Sequence, residues 1–562
     1  MRLAPIPTRS GLIGLAATAL VLSGCAQSDR EESGGDEQTG GTFLFAGSAE
    51  PVTLDPFFAS DGESFRVARQ MFEGLVGTEP GTADPAPLLA ESWTTSEDGL
   101  TYTFTLKEGV KFHDDTDFDA EAVCANFDRW YNWTGLLQSE NISYYYGALF
   151  KGFAESDDPA LTDGIYDSCT ADSATEATVT LTKPFAAFVQ ALSLPAFSMQ
   201  SPSAMQEFDA DNVELDGEDP RFSAYGTEHP TGTGPFVFES WDRGEQVTLV
   251  RNENYWGEVA QLDEVIVQTI ADGNARLQAL RNGDIDGYDL VAPGDLEGLE
   301  ADGFQIENRS AFNVLYLGIN QAYTAPDGSK PLADVRVRQA IAHAIDRDAV
   351  ISQSLPEGTT AATQFMPDLV EGYADDVAAY DYDPAAAQAL LAEAGVANLT
   401  LQFNYPTGVS RPYMPSPEDT FVALSAQLEA VGITVEPVAD QWSPDYLDKI
   451  QGTPEHGIHL LGWTGDYNDA DNFVGVFFGA PGNEWGFDNP ELFTALDSAR
   501  QLPTRDEQTP VYQDINRQIA DFVPGIPLAH PVPSLAFAPG VEGYSPSPVQ
   551  DEVWNAVTVS ES

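Results

Sequence analysis

The chain has 562 residues, with 89 acidic against 25 basic side chains and a formal charge of -64. A polyanion of this size repels nucleic acid and anionic lipid surfaces, so no nucleic-acid partner is expected. The acidic excess is spread along the chain, which suits solubility in a saline exterior where ions screen the self-repulsion.

At the start, Arg2 and Arg9 make a short basic beginning, and Gly11 to Gly24 form an apolar run whose last residues, Leu22, Ser23 and Gly24, lead into Cys25. This reads as a secretion signal with a lipoprotein-type end. A run of about fourteen residues falls short of the roughly 20 that a spanning helix needs. The small residues before Cys25 suit a peptidase, and its thiol suits acylation by a diacylglyceryl group; the alternative is an ordinary signal peptide with a chance cysteine. Residues 26–41, rich in acids, Gly and Ser, cannot bury apolar surface and read as a disordered tether. About 520 residues remain, enough for two to four structural units.

Strand-like and helix-like segments alternate from there on, as an α/β architecture requires. Thr101 to Leu106 alternates with period two, and after Lys107, Glu108 and Gly109 the run Val110 to Phe112 resumes it, predicting a hairpin. Asp119 precedes a helix expected over 120–130 as an N-cap acid. Cys124 and Cys169 form one bridge if the domain is exported, with two buried thiols as the alternative. No CxxC pair exists, so a thiolate zinc site is excluded. Thr231 to Phe236 is a turn entering a strand, and its glycines do not form a phosphate loop because no helix follows.

Asp334 opens a helix expected over 335–347, with Val337, Ile341, Ala344 and Ile345 on its apolar face and Arg336 and Arg338 on a solvated side. Asp383 and Pro384 open another, closed by Gly395. Glu418 to Ala430 is a helix that ends at Gly432 before a strand over 433–438.

The minimal parts of the familiar hydrolytic and nucleotide sites are missing: no GxSxG, HExxH or GxxxxGK[ST] occurs. His456 and His459 lie three apart on a segment that reads as a buried strand, a poor metal site. Asp466, Asn468, Asp469 and Asp471 invite a calcium-loop reading. It fails because Asp471 stands where Gly is needed and Phe477 where the last ligand belongs. A paired-acid glycosidase site is not singled out by any pair. No catalytic residue, metal or cofactor is expected.

Several blocks together resemble the bacterial extracellular solute-binding proteins, family 5, which serve peptide and nickel ABC importers. They are Pro51–Pro56, Leu89–Trp93 with Asp98, Gly99 and Tyr102–Phe104, Gly232–Phe236, Arg251–Gly257, Asp334–Ile341 with Ala344–Arg347, and Leu390–Gly395. Ser410–Tyr413 and Gly462–Asp466, followed by Asp471–Phe473, are similar to the dipeptide-binding branch in particular. That likeness implies that Arg411 holds a peptide carboxylate, Asp466 its ammonium, and Trp463 the pocket wall, with Tyr413, Ser60, Gly62 and Tyr145 as further ligand-binding residues. The chemistry agrees, since a zwitterion leaving water needs a partner at each end and Arg offers a carboxylate a planar fork. Outside any family, Arg411 is a surface counter-ion, Asp466 a turn former, and Trp463 and Tyr413 core residues.

The chain departs from the pattern at Leu460, where oligopeptide-type members carry a basic residue, and this points to a short ligand. It departs also at His113, Asp114 and Asp115, which replace an Asp-Gly turn, and at Ala470, where Pro is common. The resemblance implies a two-lobed periplasmic-binding-protein-like fold (class II) with an extra subdomain in lobe one. Lobe one is expected at about 42–310 with its inserted subdomain at about 86–190, lobe two at about 311–524, and a C-terminal return to lobe one at about 525–562. The expected partners are a short peptide, ABC permease subunits and the outer face of the cytoplasmic membrane through lipidated Cys25, for a monomer. Alternatives are another small ligand (haem, a nickel chelate or an oligosaccharide), a peptide sensor without transport, or an exported hydrolase.

Overall fold

The structure, a computed structural model, describes residues 40–217, 219–396 and 399–560. Cys25, the signal reading and residues 26–39 of the tether reading lie outside the described residues, whereas Gly40 N–H bonds to Gln261 O and Gly41 N–H to Asp263 Oδ2, so the tether reading does not extend to them. Among the described residues no helix is long and apolar enough to cross a membrane.

Two large sheets carry the two lobes. The first has seven strands, in the order Phe236–Asp242, Gln246–Arg251, Glu264–Thr269, Thr42–Gly47, Gly287–Asp289, Ser534–Phe537 and Gln305–Asn308. The second has six: Thr360–Ala361, Gly525–His530, Asn313–Ile319, Ile458–Thr464, Thr400–Thr407 and Thr434–Gln441. Every residue of Asn313–Ile319 is buried, as expected of a central strand covered on both faces. The extra subdomain is a four-stranded antiparallel sheet, in the order Ala90–Thr95, Thr101–Leu106, Glu176–Leu181 and Tyr166–Ser173. It carries the helices Ala120–Tyr131 and Glu140–Phe150. Cys124 on the first helix and Cys169 on the Tyr166–Ser173 strand are joined by a disulfide, with their Cα atoms 5.2 Å apart.

Helix starts follow the acids read as caps. Asp119, Asp334 and Asp383 each accept a backbone N–H of the first turn, satisfying donors that the helix itself leaves free. The close approach behind Gly232 and Gly234 explains those glycines: a Cβ there would stand 2.2 Å from Met71 O and 2.7 Å from Gln70 O.

Four expectations are corrected. Thr101–Leu106 forms no hairpin with Val110–Phe112, because Ala90–Thr95 and Glu176–Leu181 already occupy both of its edges. Residues 110–118 close a local turn instead, with Phe118 N–H bonded to Val110 O and Asp115 at φ 64°. The helix expected over 335–347 ends at Ala344, and Asp346 caps a second helix, Arg347–Ser354, by accepting from Ala349 N–H. Arg338 is not solvated but 2% exposed, donating to the carbonyls of Leu332, Ala333, Phe522 and Val523. Strand Gly525–His530 belongs to the six-stranded sheet, so the chain crosses back only after His530.

The two crossings between the sheets, around 309–312 and 531–533, are laced together. Arg309 N–H bonds to Pro533 O, Ser534 Oγ to Asn308 Oδ1, and His530 Nδ1 lies 2.7 Å from Asn313 O. Arg309 is 1% exposed and clamped between Asp289 at 2.9 Å and Glu552 at 2.7 Å, and Arg66 shares the same Asp289 oxygen, Oδ2, at 2.6 Å. Although burial pushes the Asp289 carboxyl up, the guanidinium groups of Arg66 and Arg309 hold it well below the usual range.

Candidate functional site

The strands Thr400–Thr407 and Ile458–Thr464 are parallel neighbours, so the loops that follow them leave the sheet at the same edge. Ligands of open α/β sheets collect outside such carboxyl ends. Arg411 lies in the first loop and Asp466 just after the second strand. Asn313 starts the adjacent antiparallel strand opposite Thr464, and its Nδ2 approaches Pro412 O at 3.5 Å. The Tyr413 ring lies over Gly462, where a Cβ would come within 2.3 Å of it, so the glycine lets the Arg411 loop fold onto the strand end.

Beside this edge lies a cavity of about 1170 Å³, between Glu140–Phe150 of the subdomain and the 463–501 region. Asp466 is partly open on its wall. Its Oδ1 accepts from Tyr145 Oη at 2.9 Å and its Oδ2 from Asn472 Nδ2 at 3.0 Å, while Asn472 Oδ1 receives Asp466 N–H at 2.7 Å. Burial pushes the Asp466 pKa up from 3.8 to about 6, against the two side-chain bonds and the field of Arg69, which lower it. Trp463 lines the same cavity, with Nε1 3.5 Å from Asn472 Oδ1. Among the described residues neither Asp466 nor Arg411 has an oppositely charged partner within 4.0 Å.

Around Arg411 several buried polar atoms have no hydrogen-bond partner among the described residues: its own Nε, Ser410 Oγ, Asn313 Oδ1 and Thr464 Oγ1. The Arg411 guanidinium stacks 4.6 Å from the centre of the Trp442 ring. Burial raises the Tyr413 pKa, and Arg411 opposes it. Orphaned groups of this kind at a sheet edge are ready for an acceptor or donor from outside the chain.

The structure thus brings Tyr145, on the subdomain side of the cavity, to Asp466 and Trp463 on the other side. It places Arg411 and Tyr413 at the same sheet edge, outside the cavity lining, with Tyr413 6% exposed. Ser60 is exposed and Gly62 opens the helix Gly62–Met71; neither lines the cavity. The carboxylates of the rejected calcium reading are otherwise engaged, Asp469 with Arg505 and Asp471 with Arg500. Among the described residues no group of three ligating side chains is arranged to hold a metal ion.

Three residues escaped the sequence reading. Asn472, which orients Asp466, sits inside the quoted Asp471–Phe473 block, and only its bonds reveal its role. Arg69, on the helix Gly62–Met71, acts on Asp466 through its field and without an ion pair, an influence between distant parts of the chain. Arg500 crosses the cavity, donating to Ala148 O at 3.3 Å and Leu149 O at 2.7 Å. Asn468 Nδ2 makes a further crossing to Asp84 Oδ1 at 2.9 Å.

Relatives share this frame over nearly their full length. Heme-binding protein A of Haemophilus influenzae is 29% identical over 97% of this chain and 98% of its own. The dipeptide-binding protein of Escherichia coli is 28% identical over 92% of this chain and 94% of its own. Among solved structures, the periplasmic binding protein DppA of Helicobacter pylori in complex with the peptide STSA superposes with a TM-score of 0.75. It has 26% identity and covers 93% of this chain and 99% of its own. Residues 84–485 match the profile of the bacterial extracellular solute-binding proteins, family 5 Middle. The chain belongs to that family of ABC-importer solute-binding proteins.

Proposed function

We propose that the chain captures dipeptides or similarly short peptides outside the cell and delivers them to an ABC permease, without catalysing a reaction. The observation that carries this reading is an unpaired carboxylate, Asp466, and an unpaired guanidinium, Arg411, at one sheet edge. A zwitterionic peptide supplies both missing partners: its ammonium meets Asp466 and its carboxylate meets the Arg411 fork, with Ser410 and Asn313 within the same loop cluster. Such ends need burial on both sides, which closure of the two lobes supplies by excluding water. Tyr145, from the subdomain, then completes the Asp466 environment across the cleft. Ser60 and Gly62, on the lobe-one side, complete the peptide contacts we assign.

We place the protein, as a monomer, on the outer face of the cytoplasmic membrane, held by a lipid on Cys25. The Gly11–Cys25 pattern supports this. The lobes divide at the two laced crossings. Calorimetry of a dipeptide against the wild type, Asp466→Ala, Arg411→Ala and the double variant tests the site. Loss of binding in each single variant is expected, and unchanged binding in the double variant overturns the assignment.

A further inference from the structure

The large cavity continues beyond Asp466 to a second carboxylate that the peptide ends do not use. Trp463, whose indole touches Asn472, lies against Phe477 with ring centres 6.2 Å apart, and Phe477 lies 6.2 Å from Trp485. At the end of this aromatic wall stands Glu484, its side chain 13% exposed and lining the cavity. Tyr316 Oη donates to its Oε1 at 2.7 Å, and His459 Nε2 lies 3.3 Å from the same oxygen. Both neighbours are essentially buried, which fixes the carboxylate in place. Its Oε2 has no hydrogen-bond partner among the described residues, and its only ion-pair neighbour within 4.0 Å is the His459 ring.

We infer that this aromatic-walled, acid-ended recess is a side-chain subsite for a cationic residue, so that the preferred peptides carry lysine or arginine. The inference rests on the peptide reading of Asp466 and Arg411 and extends it to the side chain. The aliphatic stem of lysine or arginine lies against the aromatic wall of Trp463, Phe477 and Trp485, whose rings meet edge to face, and its charged head meets Glu484 Oε2. The wider cavity favours the same sign, because eight carboxylates and only three cationic side chains line it. Two of those cations are already paired within the protein, Lys183 with Asp163 and Arg500 with Asp471. An acidic peptide side chain would meet Glu484 as a like charge.

Titration calorimetry with Ala-Lys, Lys-Ala, Ala-norleucine, norleucine-Ala and Ala-Glu tests the inference on the wild type alone. In at least one of the two orders, lysine binds ten-fold or more tighter than norleucine, which has a similar stem but no charge, and Ala-Glu binds more weakly than Ala-norleucine. In Glu484→Gln, which keeps an acceptor for Tyr316, the lysine-to-norleucine ratio falls to near one. Equal wild-type affinity for lysine and norleucine in both orders overturns the cationic subsite while leaving the peptide reading intact. A lysine advantage that persists in Glu484→Gln overturns the role of Glu484. Absence of binding by every peptide overturns the peptide reading and the subsite with it.

Discussion

The Tyr145 hydroxyl donates to Asp466 Oδ1 at 2.9 Å, joining a subdomain helix to the end of a strand in the six-stranded sheet 321 positions away in sequence. The bond stabilises the ionised carboxylate and ties the two sides of the cavity. Tyr145→Phe is expected to weaken dipeptide binding by about 1.5–3 kcal/mol, the usual worth of a hydrogen bond to a charged group. Small-angle scattering of that variant with saturating peptide should show a larger open fraction than the wild type; identical profiles and affinities would refute the bridging role.

Acid weakens binding through Asp466. Its pKa in the folded protein, about 6, stands above its ordinary 3.8, so between these values the folded state holds more protons than the unfolded one. Stability without ligand therefore falls as pH rises through that window. Ligand acts in the opposite sense, because an ammonium needs the ionised form. Peptide affinity should be flat above pH 7 and drop about tenfold per unit below about pH 6, with a proton released on binding. Of the groups facing Asp466, burial pushes the Tyr144, Tyr145 and Tyr467 hydroxyls up, further from this range, and Arg69 acts as a cation that favours the ionised carboxylate. Calorimetry in buffers of different ionisation enthalpy at pH 6 measures the proton directly, and Asp466→Asn should abolish it.

Arg338 is a structural cation. Its guanidinium serves four carbonyls in a site where water does not reach, and burial lowers its pKa to about 10. Arg338→Met leaves those carbonyls unpaired and should destabilise the fold by about 3 kcal/mol. Arg336→Ala, two residues away and paired with Asp334 at the surface, should change stability by less than about 1 kcal/mol. Chemical denaturation of both variants gives the contrast.

The Cys124–Cys169 bridge spans 45 residues and closes a loop within the subdomain. On the chain-entropy account it contributes about 4 kcal/mol. Replacing both cysteines by alanine should lower the melting temperature, and melting curves that superpose with the wild type would contradict it.

The charge of -64 makes stability depend on salt. Raising NaCl from about 0.1 M to about 1 M shortens the screening length from roughly 10 Å to roughly 3 Å and should raise the melting temperature by about 5 °C or more. A melting temperature independent of salt would mean that the carboxylates are already compensated within the fold.

Local signals in the sequence carried further than non-local ones. The acids at 119, 334 and 383 announced their helices because capping is settled within one turn. The break after Ala344 was hidden because Ile345 continues the apolar period, and only the carbonyls of Leu332 and Val523, brought in by folding, explain why Arg338 is buried. In the candidate site, Asp466 and Trp463 share one motif, and the structure places both in the cavity lining. Tyr145 was blurred by Tyr144 and Tyr146; the fold separates them, sending Tyr146 into a stack with Phe150 and Tyr145 to Asp466. Asn472, Arg69 and Glu484 act through neighbours distant along the chain or through orientation, which residue spacing does not encode.

The lacing of the two crossings at Arg309 and Pro533 has a mechanical consequence. Two independent strands would let the lobes twist, shear and splay. Two strands hydrogen-bonded to each other, with Arg309 riveted to Asp289 and Glu552 on one side, behave as a single flat leaf spring with one soft bending direction. On the lobe closure we propose, each opening would retrace the path of the previous closing, and the faces offered to the proposed permease would arrive in the same register on every cycle.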